Sequence, residues 1–86
     1  MADTLEIRRR RAAYRAAHRG TKEMDIMLGR YAEAVLPGLS DPDLQKFEQF
    51  LALPDPELQG WLLTSAQIDG AAFADLVAEV RKYNGL

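Results

Sequence analysis

Arg19, Gly20, Glu23 and Asp25 fall in the stretch "AAHRGTKEMDIMLGRY", between two segments of helical character. A base, a conformationally free residue and two acids so close together suggest three kinds of chemistry: acid/base catalysis, anion binding, or pairing with a charged partner. Catalysis fails first. Glu23 and Asp25 are two positions apart, so on a helix their side chains point about 200° away from each other and cannot flank one substrate bond. His18 sits among arginines with neither a serine nucleophile nor a carboxylate argued beside it, and reads as a surface histidine. With no cysteine and a single histidine, the chain offers no zinc ligand set and no thiol nucleophile. No catalytic residue and no metal site are assigned.

Anion binding rests on "RRRR" at Arg8, Arg9, Arg10 and Arg11, which could neutralise phosphates and would make this a small helical nucleic-acid-binding or regulatory protein. Four consecutive residues span about 300° of a helix, so these side chains do not form one stripe. Stacking aromatics and a domain-wide basic excess are also missing, and nucleic acid is not the expected partner. Charge is nevertheless distributed unevenly. Residues 1–30 carry eight basic and four acidic side chains, the remainder three basic and nine acidic, within a formal net charge of -2. Such asymmetry favours an oriented encounter with a charged surface.

The third possibility concerns the corner itself. Arg19 and Glu23 are four apart, the spacing of a helix-surface ion pair worth about 0.3–0.5 kcal/mol. Gly20 is expected to break the helix between them, and base before acid is the weaker order for such a pair. Glu23 can instead complement a helix N-terminus, which leaves Arg19 unexplained. A glycine beside an Arg and a Glu presents both hydrogen-bonding polarities and bare N–H groups at an exposed corner. Residue types alone leave two readings open, a structural corner and an interaction site.

The elements that position this corner follow from caps and periodicity. Eighty-six residues, 48% hydrophobic and 28% charged, suit one small folded domain over residues 1–86. Asp3-Thr4-Leu5-Glu6 matches a capping box, so a first helix is expected over about 4–18, with Leu5, Ile7, Ala12, Ala13, Tyr14 and Ala17 as its apolar residues and Gly20 as its stop. Thr21 caps a second helix, about 22–36, whose Met24, Met27, Leu28, Tyr31 and Val35 follow one helical face until Pro37-Gly38. Ser40 opens a third, about 41–52, burying Leu44, Phe47, Phe50 and Leu51. Asp55-Pro56-Glu57 opens a fourth, about 56–63, with Trp61 as aromatic anchor. A fifth, about 70–83, presents Phe73, Leu76, Val77 and Val80 after the loose linker "TSAQI". The expectation is an all-α, compact five-helix bundle.

No apolar run approaches the roughly 18 residues of a membrane span, so no membrane insertion is expected. The Arg-rich "LEIRRRRAAYRAAHR" has the look of a mitochondrial presequence, but Asp3 and Glu6 sit inside it and its pattern continues into the next helix, so it reads as part of the fold.

With these residues placed, "RGTKEMD" resembles the Arg-Gly-x-x-Glu-x-Asp signature of the small flavinylation assembly factors of succinate dehydrogenase, found in bacteria and mitochondria. "LSDPDLQKFEQFLALPDPELQGWL" is similar to the same family's Leu-Ser-Asp, Phe-Glu, Leu-Pro-Asp-Pro and Leu-x-x-Trp-Leu run, and the likeness covers about residues 8–63. The resemblance implies a helical chaperone that binds the flavoprotein subunit of succinate dehydrogenase, with fumarate reductase as a second candidate, and promotes covalent attachment of FAD there. The bond chemistry would belong to the flavoprotein. It implies no FAD tightly held by this chain, a monomer when free, and a cytoplasmic location in a bacterium or the mitochondrial matrix in a eukaryote. Carried onto this sequence, it places partner binding at Arg19, Gly20, Glu23 and Asp25, flanked by Arg15, His18 and Lys22; His18 stands where the family commonly has another basic residue.

Overall fold

The structure is a computed structural model that describes residues 4–63 and 71–85. Among these residues lie five α-helices and no strand: α1 (Leu5–Ala17), α2 (Lys22–Val35), α3 (Asp41–Leu51), α4 (Asp55–Leu63) and α5 (Ala71–Tyr83). A short 3-10 turn, Leu36–Gly38, follows α2 and contains Pro37. The "TSAQI" linker, Asp3 and Asp69 lie outside the described residues.

Thr4 starts α1, its hydroxyl accepting from the Ile7 N–H at 3.2 Å. Thr4 is therefore the cap itself, and three positions on stands Ile7, so a capping box closed by Glu6 is not the local chemistry. Glu6 instead pairs with Arg10 one turn along, at 2.9 Å. Ser40 caps α3 by accepting from the Asp43 N–H, with Pro42 in the first turn where it costs no hydrogen bond.

The core collects Met24, Met27, Leu28 and Tyr31 of α2, Leu44, Phe47, Phe50 and Leu51 of α3, Leu58, Trp61 and Leu62 of α4, and Leu76, Val77 and Val80 of α5. Each of the larger side chains contributes about 1.5–3 kcal/mol by leaving water. Trp61 is buried in this core, as expected of its aromatic anchor. Tyr31 packs on Phe47, ring centroids 5.8 Å apart, and its hydroxyl donates to Glu79 at 2.7 Å. Burial first, and then this bond, raise the phenol well above its ordinary pKa.

Helix α1 departs from the expected pattern. Its buried residues are Ala12 and Ala16, whereas Ile7 and Tyr14 are 46% and 67% exposed. Small residues let α1 approach α2 closely along an antiparallel course. Ala17 faces Gly29, Ala13 shares a groove with Ala32, and Arg9 reaches the Leu39 carbonyl beyond the end of α2. A Cβ on Gly29 would lie 3.2 Å from the Ala17 Cβ, tighter than ordinary packing, so a larger residue there would have to push α1 aside by a few tenths of an ångström. The α1–α2 hairpin thus carries its turn, residues 18–21, at one end of the molecule.

Candidate functional site

The turn is shaped from its backbone outward. His18 ends α1, Gly20 takes φ +112°, and Thr21 opens α2 in an extended conformation. Only glycine reaches that φ without strain. Thr21 makes no side-chain cap, and its hydroxyl is buried without a hydrogen-bond partner. Asp25 serves the turn rather than the helix cap. From the first turn of α2 its carboxylate reaches back and accepts from the N–H groups of both Arg19, at 2.5 Å, and Gly20, at 3.2 Å. These two amides are therefore not bare, as the residue types had suggested, and they are not open to a phosphate.

Arg19 turns inward. Its Nε and Nη2 donate to Asp55 Oδ1 at 2.9 and 2.5 Å, Nη2 also donates to the Leu53 carbonyl at 3.0 Å, and Nη1 donates to the Leu51 carbonyl. The side chain is only 14% exposed. One guanidinium thus closes the C-terminal end of α3, where carbonyls lack helical partners, and pairs with the first residue of α4. The helix-surface pair with Glu23 does not form, because Gly20 turns the chain between the two residues. Arg19 and Asp25 act together as an inner brace: one fixes the corner to the α3–α4 loop, the other fixes the peptides on either side of Gly20.

The remaining residues of the expected site form an outer rim. Arg15, His18, Lys22 and Glu23 are exposed. His18 stacks on Tyr14 with ring centroids 4.1 Å apart, and its Nδ1 lies 2.7 Å from the Tyr14 carbonyl oxygen. Tyr14, Arg15, His18, Arg19 and Asp55 line one shallow surface depression. Tyr14 and Asp55 are additions that residue types had not marked. Tyr14 was assigned to an apolar face, and Asp55 was read only as a helix start.

Two residues of the "RRRR" cluster, Arg8 and Arg9, are drawn into the fold. Arg8 bridges Asp41 and Glu48, both at 2.6 Å, which raises its pKa further and keeps it charged at any working pH. Arg9 donates to the Leu39 carbonyl and Arg10 pairs with Glu6. Arg8 and Arg10 thus already carry carboxylate partners, which weakens the case for a phosphate-binding stripe. Among the described residues no group of His, Asp and Glu is placed to hold a metal ion, and no helix is long and apolar enough to cross a membrane.

The model of one protein family, described as the flavinator of succinate dehydrogenase, matches residues 10–84. The chain belongs to that family. The match takes in the corner, the α3–α4 loop that Arg19 grips, and α5. Among relatives of this flavinator family, an FAD assembly factor of Acetobacter pasteurianus is 47% identical over 60 residues, which make up 70% of this chain and 55% of that protein. A mitochondrial succinate dehydrogenase assembly factor 2 of Meyerozyma guilliermondii is 36% identical over 59 residues, 69% of this chain and 44% of the relative. An FAD assembly factor of Pseudomonas aeruginosa is 30% identical over 77 residues, 90% of this chain and 88% of its own. The chain thus spans about half the length of the first two relatives and most of the third.

The glycine of the family's signature can be tested on stability alone. Gly20→Ala meets no atom within 4 Å, so its cost is purely conformational. A loss of about 1–2 kcal/mol is expected, read as a fall of roughly 10 °C in the thermal midpoint by circular dichroism. An unchanged midpoint would show that the turn relaxes to negative φ at no cost.

Proposed function

We propose that this chain is an assembly factor that docks on the flavoprotein subunit of succinate dehydrogenase and promotes covalent attachment of FAD to that subunit. The observation that carries the reading is the division of the expected site into a half-buried brace, Arg19 and Asp25, and an exposed polar rim, Arg15, His18, Lys22 and Glu23, around Gly20. A rim held rigid from behind loses little freedom when it binds, which favours specific association. Fumarate reductase's flavoprotein is a second target of the same surface, and the free factor acts as a monomer in the bacterial cytoplasm or the mitochondrial matrix.

The factor is not the catalyst. Covalent flavinylation needs a nucleophilic histidine and a flavin held in near-attack geometry, with charge on the flavin stabilised as the bond forms. A small rigid protein bound to a more mobile subunit shifts that subunit's population towards this geometry through differential affinity for it. FAD stays with the flavoprotein. At the corner the Arg19 and Gly20 amides are occupied by Asp25, and Asp55 and Glu23 place negative charge nearby, which disfavours a pyrophosphate here.

The test mixes the apo-flavoprotein subunit with FAD and follows protein-bound flavin fluorescence after denaturation, with and without the factor. Covalent labelling should accelerate by tenfold or more in its presence. Equal rates with and without it, in air and with dicarboxylate added, would refute the reading.

A further inference from the structure

Asp55 belongs to the "LPDP" stretch, thirty-six positions beyond Arg19, yet it supplies the carboxylate that holds the Arg19 guanidinium. Its own side chain is 41% exposed and lies on the edge of the depression shared by Tyr14, Arg15 and His18. Two duties are open to such a residue. It touches the partner directly, or it acts through Arg19 on the shape of the corner.

We propose that Asp55 is a positioning residue for the docking corner, acting through Arg19, so that the Arg-Gly turn and the Leu-Pro-Asp-Pro turn form one device. The inference rests on the docking role of the corner proposed above. Its argument is geometric. Both Nε and Nη2 of Arg19 converge on one Asp55 oxygen, and the same guanidinium holds the carbonyls of Leu51 and Leu53. A planar fork with this many partners has its orientation fixed, and Asp55 is the only ionised one among those named. Without that charge two carbonyls remain as neutral acceptors, while a side chain with a strongly preferred charged partner becomes free to swing towards solvent. The Arg19 N–H lies on the same residue and is held by Asp25, so release of the side chain loosens the peptide that sets Gly20 and the rim. The ion pair is the charged tie between the two turns: among the hydrogen bonds described, no other ionised pair joins the α1–α2 corner to the α3–α4 loop.

The test has a readout in the factor alone and one in the complex. Amide hydrogen exchange of the full chain, followed by NMR, should quicken tenfold or more at Arg19 and Gly20 in Asp55→Ala, while Leu44 in α3 and Val80 in α5 keep their rates. Asp55→Asn retains an acceptor oxygen and a residue suited to a helix start, and should rescue exchange in part. Affinity for the apo-flavoprotein subunit should fall about tenfold in Asp55→Ala, and the double variant with Arg19→Ala should bind no more weakly than Arg19→Ala alone. Unchanged exchange at Arg19 and Gly20 overturns the proposal, and so does an Asp55→Ala effect on binding that persists in full on the Arg19→Ala background, which would mean direct contact with the partner. Should Asp55→Ala lose its helical content, Asp55→Asn alone decides, with unchanged exchange again the overturning result. Faster exchange with unchanged binding overturns the link to docking only for Asp55. The docking reading itself falls if Glu23→Lys also binds like the parent chain.

Discussion

Arg19→Ala should lower the stability of the chain by about 2–3 kcal/mol, a fall of roughly 10–20 °C in the thermal midpoint, and should weaken docking as well. The estimate starts from the full cost of breaking a buried charge pair and is reduced because Asp55 is partly exposed to water. Removing the guanidinium leaves the carbonyls of Leu51 and Leu53 without this donor at the end of α3, and it releases the α1–α2 corner from the α3–α4 loop. Arg19→Lys makes the reading sharper. An ammonium can hold Asp55 as a point charge but cannot reach one carboxylate oxygen and two carbonyls in the planar fork that a guanidinium supplies, so it should recover less than half of the lost stability. Thermal unfolding by circular dichroism checks both variants. A midpoint within 2–3 °C of the parent for Arg19→Ala would mean that the brace carries no energy, and Arg19 would return to the surface reading that its position at a corner first invited.

The inward course of Arg19 also marks where sequence reasoning stopped. The buried face of α3 was legible because Leu44, Phe47, Phe50 and Leu51 repeat at helical spacing between a Ser40 cap and a proline stop, and hydropathy and geometry there point the same way. The turn was legible because Gly20 interrupts two such patterns, and its positive φ is what a stop glycine implies. Helix α1 was not. It buries Ala12 and Ala16 and leaves Tyr14 outside, because its packing depends on close approach to Gly29 and Ala32, and alanine carries almost no hydropathy signal to show which side it faces. The partners of Arg19 were invisible for another reason. Two of its acceptors are backbone carbonyls, which have no residue type, and the third, Asp55, had a sufficient local explanation at the start of α4. A residue with one adequate local role gives no sign of a second, distant one. The resemblance had singled out both the Arg-Gly and the Leu-Pro-Asp-Pro stretches, and the structure brings them into contact.

The family resemblance placed Asp25 with Glu23 in one partner-binding set, whereas helix geometry alone already sets them on different sides and the structure gives them different roles. Asp25 faces back onto the turn, whereas Glu23 faces out, the divergence of about 200° that two positions on a helix impose. Glu23→Lys should therefore affect docking far more than folding. In the free chain the change replaces an acid with a base in the first turn of α2, next to the positive end of the helix dipole, at a cost of about 0.3–1 kcal/mol. The docking reading pairs Glu23 with a cation of the flavoprotein, so in the complex the change sets two cations against each other, and like charges brought together across an interface cost several kcal/mol. Affinity for the apo-flavoprotein subunit should fall by tenfold or more at low ionic strength, mainly through slower association, and the gap from the parent chain should narrow as salt rises. Glu33→Lys supplies the control. It makes the same charge change at an exposed position near the other end of α2, away from the corner, and should leave affinity within about threefold while sharing the change in net charge. Equal losses in the two variants would assign the effect to overall charge, and no loss in either would remove Glu23 from the interface. A loss confined to Glu23→Lys, without a matching fall in thermal midpoint, is the result that a rim braced from behind requires: the outer residues are replaceable for the fold because Arg19, Asp25 and Asp55 already hold the turn.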